Sequence, residues 1–317
     1  MGEAELLKKL GTPGGEAPVM GTLSRSTCTT YKVRLDALMK VTGKRLSASL
    51  IDAKSSHTAL EKEYDSAVTR ANIVYAVMAT FKYAPGFAKE HATSVSYWME
   101  RRQELAQQES ERRDNNRMTT KMQKKFIDIE GTQQIVTNLE RKGLHTLQSS
   151  QEHLLMSMMV NMPPKRNDLG SLHVYRVKPT KDEGNYVIVP RSGDVTLVLN
   201  EYKTAKKNGP LRESMPKGVA KSMRQSLQSF PRKYVFVGKS GDKMTDSQYG
   251  VFVKDIFHRY TGKIAGVNAI RHAYITQMCN PRTMTREELK ATAKSMCHSV
   301  DMQGQYHVVD GGVSTPP

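Results

Sequence analysis

Residues 172–200 read LHVYRVKPTKDEGNYVIVPRSGDVTLVLN, and this stretch decides the fold. It holds three short runs rich in β-branched residues, LHVYRV (172–177), NYVIVP (185–190) and VTLVLN (195–200). Such runs bounded by turn residues read as strands. The last two are separated by RSGD, a turn that predicts an antiparallel hairpin or meander. Residues on either side of this island follow the 3.6-residue period of helices, so the surrounding domain reads as α+β, with helices flanking a small antiparallel sheet.

Working outward, KYVFVG (233–238) adds one more extended piece. GDKMTDSQYGVFVKDIFHRYTG (241–262) starts as a turn and continues as a capped amphipathic helix, and the pattern is helical again from Gly266 to near Met302. Upstream, FIDIEGTQQIVTNLERKG (126–143) and SSQEHLLMSMMVNMPP (149–164) both have helical spacing, the second stopped by Pro163-Pro164.

Nearer the N-terminus the chain is helical and basic. LSRSTCTTYKVRLDALMKVTG (23–43) offers Ser24 or Ser26 as a cap, a stripe of Val33, Leu35, Leu38 and Met39, and Gly43 as a stop. HTALEKEYDSAVTRANIVYAVMATFKYAP (57–85) gives a second helical stretch ending at Pro85. Residues 97–125 carry dense charge of both signs and read as a solvated helix running into a linker. The domain plan is a flexible arm over 1–21, a helical domain over 22–114, a linker over 115–125 and an α+β domain over 126–317.

Lys and Arg number 48 against 31 Asp and Glu, a formal charge of +17 that points to a polyanionic partner, most simply nucleic acid. Three cysteines without CxxC or Cys/His spacing indicate neither a disulfide framework nor a zinc site. No apolar run has the length of a signal peptide core or a membrane span, so a soluble, intracellular protein is expected. Leu6 stands where a myristoylation signal would want Ser or Thr. Walker-type and GxGxxG loops are missing, as is a carboxylate cluster suited to two metals.

Four distant segments carry candidate chemistry. MPPKRNDLGSL (162–172) places Arg166 and Asp168 after the proline pair; NEYKTAKKNG (200–209) places Lys203 in a turn after a strand; VNAIRHAYIT (267–276) contains Arg271; and SMCHSVDMQGQY (295–306) supplies His298 and Tyr306. Singly, each has an ordinary structural use. Their joint order, Arg, Lys, Arg, His and Tyr, resembles the catalytic set of the tyrosine recombinase (phage integrase) family, most strongly in IRHAYIT and CHSVDMQGQY. The resemblance covers about residues 126–310, and the helical first part is similar in character to the family's DNA-clamping domain.

That resemblance implies a multidomain fold: a mainly helical DNA-clamping domain and a mixed catalytic domain with a small sheet. It implies cleavage and rejoining of double-stranded DNA through a covalent 3′-phosphotyrosyl intermediate, without metal, cofactor or ATP, by a dimer to tetramer on DNA. Elementary chemistry agrees. Charge builds on a phosphodiester in its pentavalent transition state, and guanidiniums are suitable clamps, each worth about 3 kcal/mol. The resemblance implies that Arg166 and Arg271 would take that role, Tyr306 would attack, His298 would donate to a non-bridging oxygen, and Lys203 would protonate the leaving 5′ oxygen. Asp168 would hold Arg166 in place, although the family more often has its acid one position later.

Two positions depart from the family pattern. Asn268 stands where a histidine is usual, and an amide cannot exchange a proton near neutral pH; the acceptor for the Tyr306 proton is left open, and His272 receives no role. Cys297 stands where glycine is usual. The tail HVVDGGVSTPP (307–317) has one apolar pair that could dock on a neighbouring copy. Competing readings are a type IB topoisomerase, which shares the chemistry without pairing two sites, and a DNA-binding derivative without catalysis. Viral, mobile-element and cellular settings are all compatible.

Overall fold

A computed structural model describes residues 2–114, 118, 120–279 and 283–307. The chain divides into two compact units, Met1–Asn115 and Asn116–Pro317.

The first unit is helical: α1 (Glu3–Leu10), α2 (Arg25–Thr42), α3 (Leu46–Ile51), α4 (Ala53–Glu63), α5 (Ala67–Tyr83), α6 (Pro85–Glu90) and α7 (Ala92–Asp114). Ser24 caps α2 by accepting from the Thr27 amide, and Gly43 ends it in the left-handed region. Leu35, Leu38 and Met39 of α2 are buried as the periodicity predicts, whereas Val33 is 62% exposed and lies off the stripe. The helix expected over 57–85 is two helices, because Ser66 caps α5 and restarts the chain. Pro85 opens α6, the first-turn position where its missing N–H costs nothing.

The arm expected over 1–21 is corrected. Residues 3–10 form α1, Leu6, Leu10 and Met20 are buried in the core of this unit, and Glu3 accepts from the amides of Gly86 and Phe87. Burial of two leucines on an amphipathic turn anchors a segment whose Gly/Pro content alone reads as loose. In α7, Trp98 and Leu105 give the charged helix a buried edge, and the Trp98 indole donates to the Leu50 carbonyl.

The second unit contains α8 (Thr120–Gln123), α9 (Ile129–Lys142), α10 (Leu147–Asn161), a 3-10 turn (Asn167–Ser171), β1 (His173–Tyr175), β2 (Asn185–Ile188), β3 (Thr196–Leu199), α11 (Ala205–Asn208), β4 (Leu211–Ser214), α12 (Lys217–Ser229), α13 (Asp246–Thr261), α14 (Val267–Met278), α15 (Arg286–Ser295) and α16 (Val300–Tyr306). The sheet order is β1-β2-β3-β4. β2 and β3 pair antiparallel as the RSGD turn requires, and so do β3 and β4, but β1 and β2 run parallel. The expected antiparallel sheet is therefore mixed: nine residues separate β1 from β2, and the chain returns to start β2 beside the start of β1. KYVFVG forms two isolated bridges, Tyr234 with His173 and Val237 with Lys243, instead of a strand. The fourth strand comes from LRES, whose polar residues hide it from a periodicity reading.

α10 and the inner face of the sheet, with Val187, Leu197 and Leu199, share one core with α12 and α13. Thr245 and Gln248 form a capping box at the start of α13, and Gly262 ends it. Among the described residues, no helix is long and apolar enough to cross a membrane. The tail from Val308 onward lies outside the described residues.

Candidate active site

Pro163 and Pro164 stop α10 and feed the chain inward at Lys165. This lysine is 2% exposed. Its Nζ lies 2.6 Å from Glu213 Oε1 on β4 and donates to Ser295 Oγ at 2.8 Å and to the Pro163 carbonyl at 3.1 Å. Ser295 in turn donates to Glu213 Oε2 at 2.7 Å. Burial lowers the Lys165 pKa while the Glu213 carboxylate opposes that shift. The cluster ties together the segment before Arg166, the last strand and the end of α15.

Arg271 lies on α14 with 0% exposure. Its Nη1 donates to the carbonyls of Pro164 at 2.7 Å and Met296 at 3.1 Å. Its Nε and Nη2 are buried without a hydrogen-bond partner, and no carboxylate pairs with it among the described residues. Burial pulls its pKa below the usual arginine range. The guanidinium carbon sits 5.0 Å from the centre of the Tyr306 ring, a cation–π contact.

Tyr306, the last residue of α16, is 8% exposed. Its hydroxyl accepts from Arg166 Nη2 at 3.3 Å. His272 Nδ1 lies 2.7 Å from the Tyr306 carbonyl; because a carbonyl only accepts, this nitrogen carries the proton and donates. The His272 and Tyr306 ring centres are 4.8 Å apart. Burial depresses the His272 pKa, against the pull of that hydrogen bond. His272 thus anchors the nucleophile candidate's backbone.

α15 ends in a Schellman arrangement. The Cys297 amide donates to Lys294 and the His298 amide to Ala293, while Cys297 adopts φ 59°. This left-handed position is one that favours glycine. The Cys297 thiol is pushed up to about 11, mainly by burial. Thr204 Oγ1 donates to the Cys297 carbonyl at 2.9 Å, tying the β3–β4 connection to this turn. His298 Nδ1 lies 2.9 Å from the Ser299 carbonyl, so Nδ1 holds the proton and Nε2 is a bare acceptor, buried and without a partner among the described residues. Burial first, then the charge of Arg271, bring its pKa to about 4, and the ring is neutral near pH 7. Its centre is 5.7 Å from that of Tyr306.

Arg166 also borders a cavity of about 500 Å³ lined by Asp168, Lys203, Asp246, Lys254 and Asn268. Lys203 and Asn268 are exposed there. Asp168 forms no ion pair with Arg166 among the described residues; its Oδ2 is buried and unpartnered, and burial followed by the nearby Asp246 charge raises its pKa. The support expected of Asp168 falls to other groups: the Asp168 carbonyl accepts from Asn185, and Lys165 anchors the segment. Arg166, Arg271, His298 and Tyr306 are thus gathered into one cluster, and Lys203 and Asn268 border the cavity that opens from Arg166. Lys165, Thr204, His272 and Ser295 were not read from the sequence; only the proline pair beside Lys165 and the IRHAYIT motif around His272 signalled their places. Among the described residues, no group of three or more His, Cys, Asp or Glu side chains could hold a metal ion.

No family model matches the chain, and no curated protein matches it in sequence. Solved structures do match. XerH site-specific recombinase bound to palindromic difH substrate in a post-cleavage complex aligns over 89% of this chain and 76% of that one, with TM-score 0.56 and 13% identity. The pre-cleavage complex of XerH with difH aligns over 89% and 77%, with TM-score 0.52 and 13% identity. At this identity the likeness is one of fold: a helical first part and a second part with a four-stranded mixed sheet. The chain has the fold of the Xer tyrosine recombinases.

Proposed function

We propose that the protein is a site-specific DNA recombinase that cuts one strand of duplex DNA with Tyr306 and rejoins it through a 3′-phosphotyrosyl link. The observation that carries this reading is Arg271. Among the described residues this buried guanidinium meets no carboxylate, which costs several kcal/mol, and its Nε and Nη2 have no hydrogen-bond partner beside the tyrosine ring. An anion supplied from outside the protein satisfies both. A phosphodiester fits, since Arg166 already reaches the Tyr306 hydroxyl and would share the clamp.

Tyr306 then attacks phosphorus, and the phosphotyrosine conserves the energy of the broken bond, so rejoining needs no ATP. Lys203, on the cavity next to Arg166, protonates the departing 5′ oxygen. The charge of +17 supplies phosphate contacts that make binding steeply dependent on salt. Exchange between two sites requires several copies on DNA. A type IB topoisomerase would share the cut but not the pairing of sites.

The test is covalent capture. Incubation with nicked suicide duplexes drawn from a randomised pool is expected to trap a protein–DNA adduct, and Tyr306→Phe to form none. An adduct that persists in Tyr306→Phe, or no adduct from the wild type on any duplex, overturns the reading. Bridging of two duplexes by the trapped species separates recombinase from topoisomerase.

A further inference from the structure

We infer that Thr204 is a positioning residue for the reaction: its hydroxyl fastens the turn that carries Lys203 to the turn that carries His298. The inference rests on the recombinase reading. It concerns how Lys203 is placed, and Thr204 itself takes no part in proton transfer.

Lys203 is exposed, so only the backbone beneath it can aim its ammonium along the cavity beside Arg166. That backbone is a β-turn over residues 202–205, closed by the Ala205 amide donating to the Tyr202 carbonyl at 2.9 Å, with Lys203 and Thr204 as its two corners. Each flank of the turn is tied to a different part of the site. On the first flank, Asn185 of β2 is 8% exposed and holds the Glu201 backbone twice: Oδ1 accepts from the amide at 2.9 Å and Nδ2 donates to the carbonyl at 2.7 Å. The same Nδ2 reaches the Asp168 carbonyl at 3.4 Å, two residues after Arg166. On the second flank, Thr204 Oγ1 meets the Cys297 carbonyl at 2.9 Å, one residue before His298.

The hydroxyl has a fixed direction. A carbonyl only accepts, so the Thr204 proton points at Cys297, while Asn208 Nδ2 donates to the same Oγ1 at 3.1 Å. The left-handed Cys297 belongs to the same device, since the turn it makes at the end of α15 presents that carbonyl to Thr204. A hydrogen bond within an exposed loop would steady that loop and nothing more. This one spans 93 positions of the chain and joins the β3–β4 connection to the segment between α15 and α16. Without it the turn is tied to the site on one flank only, by Asn185. A misplacement of about 1 Å at a group that must meet the leaving oxygen costs on the order of a hundredfold in rate.

The test is single-turnover cleavage by the full chain of a suicide duplex that the wild type cuts, made once with the ordinary 5′ oxygen and once with sulfur in its place at the scissile bond. An alkoxide leaves poorly without a proton, whereas a thiolate, whose thiol ionises near about pH 8.5, needs none. Thr204→Val keeps the shape and removes the hydroxyl. It is expected to cut the oxygen duplex roughly ten- to a hundredfold more slowly than the wild type, and the sulfur duplex within about threefold of it. Lys203→Ala is expected to show the same pattern with a larger loss on oxygen. Thr204→Ser, which restores the hydroxyl, is expected to recover most of the oxygen rate.

Equal losses on the two duplexes for Thr204→Val would make the bond a structural one, and an oxygen rate within about threefold of wild type would make it idle. Either result overturns the inference. Should Thr204→Val fail to fold, Thr204→Ala decides by the same pair of rates. A Lys203→Ala loss that sulfur does not relieve removes Lys203 as the acid, and this inference with it, while leaving cleavage by Tyr306 in place. If the wild type forms no adduct on any duplex, the recombinase reading itself fails; if the wild type and Lys203→Ala behave as expected and Thr204→Val does not, only the role of Thr204 fails.

Discussion

Arg166 and Tyr306 stand 140 positions apart in the chain, and a guanidinium nitrogen of the first donates to the hydroxyl of the second at 3.3 Å. The contact needs a planar fork on a fixed backbone, since the same side chain must also face the cavity. Arg166→Lys keeps the charge but loses the fork. Cleavage should fall about a hundredfold, equivalent to roughly 3 kcal/mol, while duplex affinity in a mobility-shift titration changes only a few-fold. An equal loss of both would show that Arg166 serves binding alone.

The Lys165–Glu213 pair makes a separate prediction about stability. Lys165→Met leaves a partly buried carboxylate without its cation and should cost about 3–5 kcal/mol in urea unfolding. Adding Glu213→Leu should recover most of that loss, because a well-packed apolar pair replaces a buried ion pair at little net cost. Cleavage by the double variant should stay low, since Ser295 loses both partners and the turn holding His298 is released.

Cys297 tests the turn directly. Cys297→Gly relieves the left-handed backbone but gives up a small buried side chain, so stability should change by less than about 1 kcal/mol. Cys297→Val, β-branched at φ 59°, should cost about 2 kcal/mol or more and lower cleavage with it. Equal melting temperatures for the two variants would mean that the turn relaxes freely.

Acid should destabilise the protein through His298. Its folded pKa of about 4 lies below the ordinary histidine value of 6.5, so the unfolded chain binds the proton more tightly. The contribution is fully present above pH 6.5 and is lost as pH falls toward 4, about 2 kcal/mol of it between pH 7.5 and 5. His298→Gln should remove this part of the pH slope in urea unfolding, and an unchanged slope would show that His298 is not a buried neutral group.

Much of the fold is legible in local chemistry. Ser24, Gly43, Thr245 and Gly262 mark helix ends because caps and left-handed stops are decided within a few residues. RSGD marks one antiparallel pairing for the same reason. The parallel β1–β2 pairing and the LRES strand are set by what the chain packs against later, which no short window contains. In the site, Arg166, Arg271, His298 and Tyr306 stood out because their order matches a chemistry. Lys165, Ser295 and Thr204 did not, since a buried lysine, a serine and a threonine acquire meaning only through partners 48 to 130 residues away in the chain.

Arg271 has a consequence for how function persists in this chain. Its desolvation is met at folding, long before any DNA is present, so the empty protein is less stable than one with a leucine or methionine at that position could be. A protein that only bound DNA through its surface lysines would gain nothing from keeping such a residue, and mutation would drift toward the apolar replacement. Position 271 is thus a place where decay of catalysis would be rewarded with stability. On the proposed reading, an arginine there, facing a tyrosine, is the residue that selection for the chemistry would hold against that drift.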